Sequence, residues 1–179
     1  MSEKYKKISG KILTSNPYWD YRYDEYTLPN GNTGEYFFVE TPGSVMVIPV
    51  MPDGKIAFVR QYRYLNQKFS IEFPGGGMKS ELSQEDNAKK ELREESGLIS
   101  GKIIKIGEFN PFNGVTNEIC NVFIAGELTK VKSSPDDSEE FDNLYLSKDE
   151  VIGLIRSNEI WDGMTLSAWT LYVNSKYWS

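Results

Sequence analysis

Apolar and polar residues first alternate along the chain and then gather into runs. Trp19, Tyr21 and Tyr23 interleave with Asp20, Arg22 and Asp24, the period of two that marks a half-buried strand. Pro29-Asn30-Gly31-Asn32 is a hairpin-turn signal, and Tyr36-Phe37-Phe38-Val39 reads as the returning strand. Pro42-Gly43 breaks the chain, so a boundary is placed there. It separates an N-terminal β-hairpin region, 1–42, from a main domain, 43–179. Beyond it the apolar residues run on without alternation. Segments 45–50, 56–62 and 69–73 read as strands, the first two divided by a Pro52-Asp53-Gly54 turn and the third stopped by Pro74-Gly75-Gly76-Gly77. A helix is predicted over 84–96, with Ser83 as N-cap, Asp86 three residues on, and Gly97 as its C-terminal stop. Further strands are expected near 103–109, 119–127 and 143–146, and helices near 148–157 and 164–176. The polar stretch 132–140 reads as an exposed acidic loop. Strands ahead of and between a few helices indicate an α+β or sandwich architecture.

Composition narrows the chemistry. The chain has 179 residues, of which 39% are hydrophobic, enough to give one domain a real core. A formal net charge of −6 disfavours binding along a nucleic-acid backbone. The longest apolar run, about 45–51, is far short of a membrane span, and no apolar stretch follows the N-terminal lysines. A cytoplasmic protein with neither nucleic-acid nor membrane partners is therefore expected. There is no histidine, which excludes a histidine base, a Ser-His-Asp triad and any histidine-ligated metal. The single cysteine, Cys120, excludes an internal disulfide and a cysteine metal cluster. Carboxylates, lysines, arginines and the backbone remain to do chemistry.

Those groups concentrate on one helix. In Gln-Glu-Asp-Asn-Ala-Lys-Lys-Glu-Leu-Arg-Glu-Glu-Ser, Glu91, Glu94 and Glu95 stand at i, i+3 and i+4 and share an outward face. Grouped carboxylates are hard oxygen donors suited to Mg²⁺ or Mn²⁺. The plain alternative is a solvated acidic face, since the repulsion costs only about 0.2–0.5 kcal/mol per pair. The glycine run Gly75-Gly76-Gly77, one loop ahead of the helix, favours the ligand-binding reading. Glycine lets backbone approach a ligand closely.

The stretch from Gly76 to Leu98 resembles the signature of the Nudix hydrolase family, G-x5-E-x7-R-E-U-x-E-E-x-G-U, where U is aliphatic. Gly76, Glu91, Leu92, Glu94, Glu95, Gly97 and Leu98 match it. Leu82 stands in place of the first glutamate, with Glu81 one residue early, and Lys90 in place of the arginine. Other segments resemble the family branch that hydrolyses ADP-ribose and nucleoside diphosphate sugars. These are Arg60-Gln61-Tyr62-Arg63, Glu72-Phe73-Pro74-Gly75-Gly76, Gly114-Val115-Thr116-Asn117-Glu118, Asn16-Pro17-Tyr18-Trp19, Leu28-Pro29-Asn30-Gly31 and the run from Glu159 to Thr165.

The resemblance implies an α+β fold, an α/β/α sandwich with a mixed sheet between helices, plus the N-terminal antiparallel β region. It implies Mg²⁺, with Mn²⁺ as the alternative, on Glu91, Glu94, Glu95 and the Gly75 carbonyl. It implies a catalytic base in the acidic loop, Glu139 or Glu140, with Glu94 as a further catalytic group. By the same resemblance Arg63 would meet a phosphate, Phe112, Asn113, Gly114 and Glu118 would line the substrate pocket, and Trp19 would help to hold a nucleobase. A homodimer sharing the N-terminal β region, acting on a nucleotide-sugar substrate, is implied as well. Two other readings stay open: a Nudix domain that binds nucleotide as a sensor or regulator, and a nucleoside triphosphate clean-up enzyme.

Overall fold

The computed structural model describes residues 5–132 and 141–178. The chain forms two compact units, Met1–Gly43 with Asn110–Ile119, and Ser44–Phe109 with Cys120–Ser179.

The first unit is a three-stranded antiparallel meander of β1 (Lys7–Ser15), β2 (Asp20–Thr27) and β3 (Thr33–Glu40). The turn between β2 and β3 is the expected one. Gly31 takes φ +85°, which an L side chain rarely adopts, and the Leu28 amide donates to the Asn32 carbonyl at 2.7 Å. Cross-strand rings fasten the sheet, with Tyr23 and Phe37 centroids 5.0 Å apart. The region is larger than the hairpin read from the sequence, because β1 adds a strand along the free edge of β2. Every residue of β1 is exposed. The segment Asn110–Ile119 joins this unit through Val39 N–H to the Val115 carbonyl (2.8 Å) and the Tyr36 hydroxyl to the Gly114 carbonyl (3.1 Å).

The second unit holds β4 (Ser44–Pro49), β5 (Ile56–Arg63), β6 (Lys68–Glu72), β7 (Gly75–Gly77), α1 (Gln84–Ser96), β8 (Leu98–Phe109), β9 (Cys120–Lys130), β10 (Asp142–Leu146), α2 (Lys148–Arg156) and α3 (Gly163–Val173). One sheet is mixed, in the order β7-β4-β9-β8, with β4 and β9 parallel. The other, β10-β5-β6, is antiparallel.

The uninterrupted apolar run of β4 is buried on both faces. Val45 and Val47 belong to the core cluster with Ala88 and Leu92 of α1, whereas Met46 and Ile48 belong to the one with Val151 of α2 and Ala168 and Trp169 of α3. A mixed sheet between helices, preceded by an antiparallel β region, is the α+β architecture the sequence led one to expect.

Helix α1 occupies the expected residues. The Ser83 side chain accepts the Asp86 amide at its start, and Gly97, in the left-handed conformation (φ 63°), ends it. Strand β6 ends at Glu72, ahead of the Pro74–Gly77 stop, and the glycines themselves form β7, which pairs with β4 in the register Ser44↔Gly77 and Met46↔Gly75. Among the described residues, no helix is long and apolar enough to cross a membrane.

Candidate active site

Helix α1 has only two apolar core residues, Ala88 and Leu92, yet it also buries Asn87, Glu95 and Ser96. A helix that hides polar groups has to give them partners. Ser96 donates to the Leu92 carbonyl within the helix, while Asn87 and Glu95 find partners in the segment that precedes it. The Gly75 amide donates to Glu95 Oε2 at 3.0 Å. The Gly76 backbone lies against the Glu91 carboxylate, and a β-carbon on it would stand 2.7 Å from Oε2. Asn87 holds the far end, with its Oδ1 accepting the Lys79 amide at 2.8 Å.

The three glutamates differ in surroundings. Glu95 is 6% exposed, so it does not lie on the outward face that the helix spacing implied. The glycines opposite have no side chains, which lets the carboxylate pack inward against backbone. Glu91 and Glu94 are joined by Lys90, whose ammonium lies 2.9 Å from Glu91 Oε1 and also bonds Glu94. Burial works against the lysine's charge. Hydrogen bonds to Glu94 and Glu91 outweigh it and raise the Lys90 pKa above the ordinary lysine value. Among the described residues no three acidic side chains converge on one point. The donor set nevertheless fits a hard dication: carboxylate oxygens on one helix, of which Glu95 is buried and Glu91 and Glu94 are partly exposed, with a cationic group already drawn between two of them.

Arg63 ends β5 and faces β6. Its Nε donates to Glu72 Oε1 at 2.8 Å and its Nη2 to Oε2, a forked pair on a carboxylate that is 3% exposed. Hydrogen bonding to Glu72 raises the arginine's pKa further above its ordinary value. Two of its guanidinium nitrogens are thus committed to a protein carboxylate.

The expected substrate residues other than Arg63 belong to the first unit. Asn113 lines a cavity of about 550 Å³ with Tyr26, Tyr36, Phe38 and Lys7. Gly114 accepts the Tyr36 hydroxyl, and the Phe112 carbonyl accepts the amides of Val115 and Thr116 at 2.9 and 3.0 Å. The Phe112 ring is exposed. The Glu118 amide donates to Thr116 Oγ1 at 3.1 Å. Trp19 lines a smaller hollow of about 320 Å³, its amide held by Asn16 Oδ1 at 3.0 Å. Glu139 and Glu140 lie outside the described residues.

Two contributors escaped the sequence reading as individual residues. Glu72 enters the sequence pattern only within a longer motif. Asn87 was not singled out, although an asparagine inside a helix, four residues before a key glutamate, is a poor helix former that needs a reason.

The chain matches the model of the NUDIX domain over residues 40–166. It is 31% identical over 167 residues to an ADP-ribose pyrophosphatase of Bacillus subtilis (strain 168), covering 92% of this chain and 87% of that protein. It is also 31% identical over 165 residues to a methanol dehydrogenase activator of Bacillus methanolicus, covering 91% and 89%. A solved structure titled as an ADP compounds hydrolase superposes with a TM-score of 0.85 over 99% of this chain and 98% of that one, at 16% identity, so the fold is shared. The chain belongs to the Nudix family, and it is a Nudix hydrolase.

Proposed function

We propose that this enzyme cleaves the diphosphate linkage of ADP-ribose or a related nucleoside diphosphate sugar, releasing a nucleoside monophosphate and a sugar phosphate. The observation that carries the reading is the packing of the glycine-rich segment along α1, with Glu95 on the Gly75 amide and Glu91 on the Gly76 backbone. The name of the Bacillus subtilis relative supports the substrate class.

Glu91, Glu94, Glu95 and the Gly75 carbonyl would hold Mg²⁺, with Mn²⁺ as the alternative. When bound, the cation supplies charge neutralisation to the diphosphate and acidity to a coordinated water. The chain's own groups do the rest. Lys90 offsets charge between Glu91 and Glu94. Arg63, anchored by Glu72, would present its remaining guanidinium edge to a phosphate. Glu139 or Glu140 would take the proton of the attacking water, with Glu94 as a further acid–base group. Trp19, Phe112, Asn113, Gly114 and Glu118 would contact the nucleoside and sugar, with the aromatic side chains supplying flat surface of the kind that stacks a base. A homodimer sharing the β1–β3 sheet is part of the reading.

The experiment is a hydrolysis screen over nucleotide sugars, dinucleotides and triphosphates with Mg²⁺, reading released monophosphate, for the wild type and Glu95→Gln. The glutamine keeps an acceptor for the Gly75 amide, so the fold should persist. Turnover should fall by a factor on the order of 10² or more. Unchanged kinetics would remove this helix from the active site, and a preference for triphosphates would replace the substrate class. The name of the Bacillus methanolicus relative favours a second reading, action as a regulator of another enzyme. No turnover of any compound, with nucleotide binding retained, would support it.

A further inference from the structure

Asn87, Glu91 and Glu95 stand at i, i+4 and i+8 of α1 and so form one stripe along the helix. All three meet the same preceding segment in reverse order. Glu95 accepts the Gly75 amide, Glu91 lies on the Gly76 backbone, and Asn87 grips the segment where it turns toward the helix. The grip uses both ends of the amide. Oδ1 accepts from Lys79 N–H at 2.8 Å, while Nδ2 reaches the carbonyls of Lys79 (3.1 Å), Ser83 (3.0 Å) and Leu82 (3.3 Å). The Leu82 amide closes the same turn onto the Lys79 carbonyl at 3.1 Å. Asn87 is 0% exposed. A carboxylate could not replace it there, because it has no N–H groups for three carbonyls.

We propose that Asn87 is a positioning residue of the Nudix site: its side-chain amide fixes the turn at Lys79–Ser83 and thereby seats Gly75 and Gly76 against Glu95 and Glu91. This rests on the hydrolase reading of those glutamates. A segment held at both ends leaves the carboxylates between them little freedom, and small displacements of reacting groups cost large factors in rate. The clamp is made of neutral groups, so it is formed before any cation arrives. It operates although the signature glutamate is replaced by Leu82.

The test compares the wild type with Asn87→Ala, with the near-isosteric Asn87→Asp should the alanine variant fold poorly, and with Val151→Ala. The last removes buried volume from α2, away from this site, and serves as a control for stability loss. Three quantities are measured: Mn²⁺ binding by calorimetry, steady-state kinetics on the best substrate, and hydrogen exchange at the Lys79 and Gly75 amides. The Asn87 variants should weaken Mn²⁺ binding about 10–100-fold and lower kcat by a similar factor with little change in substrate KM. Asn87→Ala should also lose exchange protection at both amides, whereas Asn87→Asp, which keeps an acceptor for the Lys79 amide but no donor for the three carbonyls, should lose it at Gly75. Val151→Ala should do none of these at temperatures well below its melting point.

A double variant with Glu91→Gln should lose less than the product of the two single losses, since Asn87 acts in part through the Glu91 carboxylate and in part through Glu95. Asn87 variants with wild-type Mn²⁺ binding and wild-type Gly75 protection would overturn the proposal, as would equal effects from Val151→Ala. If the wild type hydrolyses nothing, the hydrolase reading fails. The exchange measurement at Gly75 then still decides whether Asn87 seats the segment.

Discussion

The backbone of Gly76 lies directly against the carboxylate of Glu91, so that a β-carbon on Gly76 would fall 2.7 Å from Oε2 and 2.9 Å from the carboxyl carbon. Its neighbours meet different obstacles. At Gly75 a β-carbon would stand 2.5 Å from the Val45 carbonyl oxygen and 3.1 Å from the Met46 α-carbon, while at Gly77 nothing lies within 4 Å. Backbone cannot yield as a side-chain tip can. Gly75→Ala should therefore cost about 1–3 kcal/mol in urea denaturation. Gly76→Ala should leave stability nearly unchanged but push the Glu91 carboxylate aside, lowering kcat/KM on the order of 10²-fold. Gly77→Ala should stay within about 0.5 kcal/mol and keep activity. Equal behaviour of the three alanine variants would refute this account of the segment.

The Arg63–Glu72 fork gives a second prediction. Glu72 is 3% exposed and Arg63 about half exposed, so removing the arginine leaves a nearly buried carboxylate whose loss water can partly relieve. Arg63→Ala should cost about 1–3 kcal/mol, and adding Glu72→Gln should recover part of it. Arg63→Lys should not rescue, because an ammonium cannot form the paired bonds. Denaturant midpoints at constant m-value measure all three variants. A strictly additive double variant would show that the fork contributes nothing as a pair.

Much of this architecture was legible in the sequence, for identifiable reasons. Helix α1 was, because both caps are local: Ser83 and Gly97 act within a turn of the helix ends. The strand β4 was, because burial on two faces leaves an unbroken apolar run. The family was, because Glu91, Glu94, Glu95 and Gly76 keep their spacing. What stayed hidden depends on contacts distant in sequence or turned inward. The strand character of Gly75–Gly77 comes from pairing with β4, about thirty residues earlier. The burial of Glu95 comes from bare glycine backbone opposite it, whereas its helix, read alone, looks polar and solvated. The grip of Asn87 on three carbonyls cannot be read from a single amide side chain.

The first unit predicts association. Strand β1 is exposed along its whole length, and it carries Ile8, Ile12 and Leu13 at 56%, 51% and 42% exposure. Tyr21 is exposed on β2, beside it, and Phe37 on β3, one strand further on. An unpaired strand edge with apolar side chains is a template for another chain. A homodimer burying roughly 1,200–2,000 Å² is expected, seen as twice the chain mass by light scattering at micromolar concentration. Ile8→Lys combined with Ile12→Lys should shift it toward monomer. A wild-type protein that is monomeric under those conditions would contradict the expectation.

The last prediction concerns the base. With no histidine in the chain, a carboxylate must carry any general-base role unless a metal-activated water needs no partner. The carboxylates placed around the glycine segment are already engaged: Glu91 and Glu94 by Lys90, Glu95 by the Gly75 amide, and Glu72 by Arg63. Taking up a proton would lower the negative charge that holds each of these bonds. The acidic run Asp136-Asp137-Ser138-Glu139-Glu140 offers further carboxylates, and the Nudix resemblance assigns the role to that loop. One of Glu139→Gln and Glu140→Gln, and not both equally, should lower kcat about 10²–10⁴-fold with little change in KM. The measurement is steady-state kinetics at saturating Mg²⁺ on the best substrate from the screen. Because the substitution leaves the α1 carboxylates intact, cation dependence should not move in the impaired variant. Wild-type kcat in both would return the role to Glu94, beside Lys90, or to no side chain at all. Glu94→Gln separates those two outcomes: it abolishes turnover in the first and only weakens cation binding in the second.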